Sequence, residues 1–422
     1  MASDGRERAG RVAPAPGAES TIPGRHYRAV PPAVTPLTPG DIAAGLAGQV
    51  RGAGRDGFRE AVVSMLDAES AATYTTYRRA LGACFDALAD RADDRSTVLV
   101  PAFCSTDFRL ALEELGLAYR RYDVEGDSFA ADLGAVESAL DDDVLAVVAV
   151  NVLGYSSEMD VLARLCRDAG ASLVEALGYS LGASYEGERL GTFGDCAVCN
   201  FQQGKPIPVG GGMVVSQDPG LSFSDAGRPA VGPNVATLAG YAAFSRPRMY
   251  HLYRRGKATL DSIRGSDGRI TTHPGSKDDV GADRPLATMS DFQGTVAQRV
   301  LTRLDHHRHD RARNASCYTD AFRSCPGVRV VTPVDGLSEH QHVRFPLVAE
   351  SEALRDDLCV ALEDAGIGAS KLYEWPPLAT DRFPTASRLK RRTITLPTHP
   401  FVDEQDRRTA VRVVRAVLRR SG

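Results

Sequence analysis

Lysine is nearly missing from this 422-residue chain. Only Lys205, Lys257, Lys277, Lys371 and Lys390 stand among its 50 basic residues, the rest being arginine. Chemistry that needs a primary amine therefore has few candidates. Tryptophan occurs once, and the eight cysteines lie scattered, mostly inside apolar patterns, which excludes a disulfide scaffold. Acidic and basic residues nearly cancel to a net charge of −4, so there is no global footprint for nucleic acid or an anionic membrane. No apolar run approaches the ~18 residues of a membrane span; residues 144–153 come nearest, and Asn151 interrupts them. The N-terminus has no apolar signal core, so a cytoplasmic location is expected. What remains is an enzyme-sized globular chain.

Residues 1–37, rich in Pro, Ala, Gly and Arg without periodicity, read as a disordered or loosely attached arm. Thr38-Pro39-Gly40-Asp41 then has the form of a helix start, and helices are predicted over 58–68 and 75–92. From residue 97, strand-like runs alternate with helical patterns at 107–117, 133–140 and 159–170. That alternation predicts an α/β fold with a mostly parallel mixed sheet covered by helices on both faces. Residues 219–285 interrupt the rhythm as an insertion. Its aromatic, basic helical stretch reads as a dimer-interface or lid element, or a membrane-surface helix, and a polar glycine-rich segment follows. One long helix over 289–324 leads into a smaller C-terminal α+β unit, giving a large domain at 38–300 and a small one at 301–422.

In such sheets ligands bind beyond the carboxyl ends of the strands. Residues 102–106, Asn151, 176–179 and 200–205 therefore carry the most interest. The segment NFQQGKPIPVGGGMVV (200–215) sets Lys205 between a strand and a glycine turn. A lysine there can form an imine with an aldehyde cofactor or a ketone; equally it can be a solvated loop residue. Cys196 and Cys199 have half-site spacing, but a strand turns residues three apart to opposite faces, which favours buried free thiols. The run Asp305-His306-His307-Arg308-His309-Asp310 looks like a metal cluster but falls on a polar helix face. His340 and His342 flank a strand and read as structural.

From about residue 60 onward the chain resembles the DegT/StrS family of sugar aminotransferases. The strand–Pro–helix opening VLVPAFCSTDFRLALEELGL, the element VNVLGYSSEMDVLARLCRDAG, the stretch LVEALGYSLGASYEGERLGTFGDCAVCNF, FQQGK, MSDFQGTVAQRV and LPTHP follow the family's order. The resemblance implies the pyridoxal-phosphate transferase fold of the aspartate aminotransferase group, a homodimer, a small-molecule substrate and Lys205 as the imine-forming lysine. It also exposes departures. The family's E-D-A-A-Q reads Glu175-Ala176-Leu177-Gly178-Tyr179, so Ala176 stands at the carboxylate that pairs with the cofactor's ring nitrogen. Glu175 falls on the opposite face unless the strand slips. Ser105 aligns with the stacking aromatic, with Phe103 and Phe108 as stand-ins. Asn151 replaces a histidine, Asn200 a serine, and Leu372 the histidine before Tyr373. The N-x-R-M-S element that crosses the dimer reads Leu286-Ala287-Thr288-Met289-Ser290.

The resemblance places the phosphate at the helix start after residue 74, where Thr75 and Thr76 offer a cap and hydroxyls, with Asn200 nearby. Tyr179 is expected against cofactor or substrate, with Phe103 and Tyr373 as candidate substrate contacts. The leading expectation is a pyridoxal-phosphate aminotransferase acting on a keto sugar or a specialised-metabolite ketone. The altered positions leave two alternatives. One is a repurposed enzyme running non-transaminase chemistry in natural-product biosynthesis, with or without the cofactor; the other is a non-catalytic partner subunit or regulator.

Overall fold

A computed structural model describes residues 27–92, 94–126, 128–223, 227, 232–263, 287–372 and 378–421. Helices α1 (Pro39–Arg51) and α2 (Gly54–Leu66) come first, followed by β1 (Ser70–Tyr74), α3 (Tyr77–Ala89), β2 (Thr97–Pro101), α4 (Thr106–Glu114) and β3 (Ala118–Tyr122). Next are α5 (Leu133–Ala139), β4 (Val144–Val150), α6 (Met159–Ala169), β5 (Ser172–Ala176), the short β6 (Ser184–Tyr185) and β7 (Glu188–Arg189), β8 (Cys196–Asn200) and β9 (Gly212–Ser216). Then follow α7 (Gly232–Phe244), α8 (Pro247–Ile263), α9 (Asp291–Leu301), α10 (Leu304–Phe322), β10 (Val328–Val330), β11 (Leu337–Ser338) and β12 (Arg344–Ala349). The last are α11 (Glu352–Asp364), β13 (Ser370–Lys371), α12 (Pro384–Arg392), β14 (Thr393–Pro397) and α13 (Glu404–Ser421).

Seven strands form the large sheet in the order β1-β9-β8-β5-β4-β2-β3, parallel from β8 to β3, with β9 antiparallel to both of its neighbours. Strand alternation divides its core in two. Leu173, Ala197 and Cys199 pack with α2, α6 and α9 on one face. Val174, Ala176, Cys196 and Val198 pack with α3 and α4 on the other. Cys196 and Cys199 thus lie on opposite faces, both buried, as the spacing implies. A four-stranded antiparallel sheet, β10-β12-β14-β13, carries the smaller core with α10, α11 and α13. No helix among the described residues is long and apolar enough to cross a membrane.

Glycines decide how the first helices meet α9. A Cβ at Gly48 would lie 1.9 Å from Thr295 Oγ1, one at Gly54 2.2 Å from the Asp291 carbonyl, and one at Gly294 2.5 Å from the Arg55 backbone. These helices therefore touch backbone to backbone. Asp41, fully buried, caps α1 through Thr38 and receives Arg299 Nε and Arg303 Nη2 at 2.8 Å each. Burial opposes its ionisation, but the Arg303 and Arg299 hydrogen bonds prevail and hold its pKa at about 2.

Three expectations need correction. The helix over 289–324 is two helices. It breaks at Thr302 and Arg303, because α9 is pinned flat against α1 and α2 while α10 turns its buried face to the small sheet. The insertion's helical stretch is also two, α7 and α8, broken before Pro247, which has no N–H to continue α7 and sits well at a first helical position; most of the glycine-rich segment lies outside the described residues. The arm is not loose over its last part. Ala29, Val30, Val34, Thr35 and Leu37 are buried, Val30 bridges Ile367 and the Gly366 carbonyl, and Arg28 pairs with Asp406 at 2.8 Å.

Candidate active site

Lys205 lies in the loop leaving β8. The Asn200 side chain caps that exit by accepting the Gln202 N–H at 2.9 Å, and Gly210 closes the loop by donating to the Phe201 carbonyl at 2.6 Å. Gly211 has φ +86°, and a Cβ there would stand 2.6 Å from the Tyr74 carbonyl, so this turn admits only glycine. The Lys205 Nζ sits 3.3 Å from the centre of the Tyr179 ring. A Cβ at Gly178 would be only 3.4 Å from both Nζ and the Asn200 Cβ, so Lys205, Tyr179 and Asn200 converge at the ends of β5 and β8.

The surroundings favour a neutral amine. Desolvation, then the Arg344 charge, pushes the Lys205 pKa well below the ordinary lysine value, against a smaller opposing pull from Asp107. Burial raises the Tyr179 phenol, which Arg344 partly offsets. Arg344, 4% exposed at the start of β12, donates to Ser370 Oγ at 2.5 Å. Asp107 is held by the Ser105 hydroxyl at 2.9 Å and faces Arg78 Nε at 3.5 Å. Sequence reasoning passed over both Arg344 and Asp107: one sits in an apolar strand pattern, the other at an ordinary helix start, and neither has a local signal.

The other expected residues are placed as follows. Ala176 ends β5, buried between Val150 and Val198 in register, on the face of α3 and α4. Glu175 turns to the opposite face, where its carboxylate accepts the N–H groups of Gly191, Phe193 and Gly194 at 2.7 to 3.0 Å. Burial still raises its pKa to about 7. The strand has not slipped. Thr76 caps α3 by accepting the Arg79 N–H, and the Thr75 N–H reaches the Ala287 carbonyl. Ser105 caps α4, so its hydroxyl is committed to that helix and to Asp107.

Asn151 follows β4, donates to Ser180 Oγ at 3.0 Å, and leaves its buried carbonyl oxygen without a hydrogen-bond partner. Phe103 stacks on Phe129 at 5.8 Å, and both join Tyr155, Tyr179, Leu372 and Phe383 in an apolar cluster between the ends of the large sheet and the small sheet. His340, taken as structural, lies inside this cluster, 4.8 Å from the Tyr155 ring. Tyr373 lies outside the described residues. On α10, His307 turns inward while His306 is exposed, and no group of three or more His, Cys, Asp or Glu side chains among the described residues is placed to hold a metal.

A family model described as the DegT/DnrJ/EryC1/StrS aminotransferase family matches residues 46–224 and 281–417. The dTDP-4-dehydro-2,3,6-trideoxy-D-glucose 4-aminotransferase of Saccharopolyspora spinosa is 27% identical over 301 residues, 68% of this chain and 69% of that protein. The structure of the aminotransferase TlmJ from Streptoalloteichus hindustanus superposes with a TM-score of 0.72 at 19% identity, over 93% of this chain and 100% of that one. The PLP-form of the putative sugar aminotransferase Spr1654 from Streptococcus pneumoniae gives 0.71 at 16%, over 93% and 99%. The unmatched residues 225–280 fall within the insertion.

Proposed function

The chain belongs to the DegT/DnrJ/EryC1/StrS aminotransferase family, and on that premise we propose that it is a pyridoxal-phosphate-dependent aminotransferase acting on a keto sugar or a related ketone of specialised metabolism. The observation that carries this is the amine of Lys205, held low in pKa against the Tyr179 ring at the ends of β5 and β8. A neutral amine is a nucleophile toward a carbonyl and, once released, a base for an adjacent C–H proton.

The donor set fits the cofactor at two of its three ends. The N-terminus of α3, with Thr75 and Thr76, and the Asn200 side chain suit an anion such as the phosphate. Lys205 suits the aldehyde. The ring-nitrogen end meets Ala176 and valines, with Glu175 directed away. When bound, pyridoxal phosphate supplies the aldehyde and an electron-accepting ring. In this reading Lys205 moves the proton, Tyr179 keeps water from the amine, and the orphaned Asn151 carbonyl and Phe103 line the substrate side. The working unit is a homodimer.

Incubation with pyridoxal phosphate, borohydride reduction and peptide mapping test this reading. The pyridoxyl group is expected on Lys205; reduced protein with no label there would overturn it. Ala176→Asp, on the face of Val174 and Val198, separates this reading from non-transaminase chemistry on the same scaffold.

A further inference from the structure

We propose that residues 28–37 act as a strap that fixes the Lys205 backbone, with Thr35 as a positioning residue for the amine; this rests on the reading of Lys205 above. Thr35 is fully buried. Its hydroxyl donates to the Lys205 carbonyl at 2.9 Å and accepts from Arg311 Nη2 at 2.5 Å. The polarity is unambiguous: arginine can only donate, so the single Thr35 proton must go to Lys205. The Thr35 N–H donates to the Tyr241 hydroxyl at 3.0 Å, and that hydroxyl also takes the Gly204 N–H. Residues 204 and 205 are thus tied through one threonine to α7 of the insertion and to α10 of the small domain.

Arg311 is what makes this arrangement unusual. Its guanidinium is completely buried, and its hydrogen bonds go to two neutral side chains, Thr35 and, at 3.4 Å, Gln341. Burial lowers even its pKa, to about 10. An interior charge held only by neutral oxygens is costly, and here it polarises the one hydroxyl that bonds Lys205. The strap's other end is fastened to the small domain. Val30 N–H reaches the Gly366 carbonyl at 2.8 Å, Gly368 N–H reaches the Val30 carbonyl at 2.8 Å, and His399 Nε2 meets the Pro31 carbonyl at 2.8 Å. The small domain's position is therefore transmitted to the lysine loop.

The Lys205 amine is faced by Tyr179 after β5, Asp107 on α4 and Arg344 on β12. Releasing the loop admits water, and the amine pKa then rises toward the ordinary lysine value. Pulsed acetylation with acetic anhydride across pH, read by peptide mass spectrometry, measures this midpoint without any cofactor, and exposed Lys371 serves as internal reference. Thr35→Val is expected to raise the Lys205 midpoint by about one pH unit, a tenfold change in proton affinity, with Lys371 unmoved and Thr35→Ser restoring the wild-type profile. A filler role would lower the melting temperature and leave the midpoint alone, and that result overturns the proposal. Should Thr35→Val fail to fold, Tyr241→Phe decides: it removes the acceptor of both backbone N–H groups, and an unchanged midpoint refutes the strap. Failure of pyridoxal phosphate to label wild-type Lys205 would remove the aminotransferase reading while the acetylation profiles still judge the strap.

Discussion

Ala176→Asp puts a carboxylate at the end of β5, on the face that carries Val174 and Val198. Its neighbour sets the energy scale. Glu175, fully buried and holding three backbone N–H groups, is raised from 4.5 to about 7, a bias of about 3 kcal/mol against its charged form. Those three donors are taken by Glu175 on the far face, so the introduced acid starts without them and its penalty is at least as large, about 3 kcal/mol. The sign follows from its folded pKa lying above its unfolded one: the penalty is absent where both states are protonated and grows as pH rises through that interval. Without cofactor the variant should melt near the wild type at pH 4 and about 3–4 °C lower at pH 8. With pyridoxal phosphate a protonated ring nitrogen supplies the missing countercharge. Much of the loss at pH 8 should then return, and cofactor affinity should rise about tenfold for each ~1.4 kcal/mol recovered. Thermal melts at the two pH values with and without cofactor, together with a binding titration, read all of this. Equal destabilisation at both pH values, or no recovery on adding cofactor, would refute the reasoning. Tighter binding with loss of the native reaction would identify repurposed chemistry.

Other outcomes are equally specific. Lys205→Ala should abolish pyridoxyl labelling and turnover while shifting the melting temperature little, as judged by peptide mapping and calorimetry. Tyr179→Ala uncovers the amine and should raise the pH at which Lys205 reacts, whereas Tyr179→Phe, which keeps the ring, should not; acetylation profiles distinguish them. Glu175 binds a proton more tightly folded than unfolded, so wild-type stability should fall by about 3 kcal/mol between pH 4.5 and 7 from this group. Denaturant titrations across that range should lose the slope in Glu175→Gln. Sedimentation at micromolar concentration should show a dimer.

The sheet was legible because period-two apolar runs alternate with period-3.6 ones, and both signals are local. Lys205 stood out because lysine is so rare and because strand ends in parallel sheets are where ligands go. The break between α9 and α10 was hidden: both halves are good helices, and the partners that separate them, α1 and α2 for one and the small sheet for the other, are remote in sequence. Val30, Val34 and Leu37 stand singly among prolines and alanines, so no periodicity marked them as core. Thr35, Asp107 and the His340–Arg344 stretch come from three segments far apart in sequence, and nothing near any of them announces the others.

The strap also bears on the order of assembly during synthesis. Arg28 leaves the ribosome early, yet its partner Asp406 follows 378 residues later. At ~5–20 residues per second, that pairing waits roughly 20–75 seconds. Gly366 and His399, which hold Val30 and Pro31, come almost as late, whereas Lys205, Tyr241 and Arg311, which meet Thr35, are made well before them. The two ends of the strap are thus fastened at different times during synthesis, the lysine end first and the end on the small sheet last.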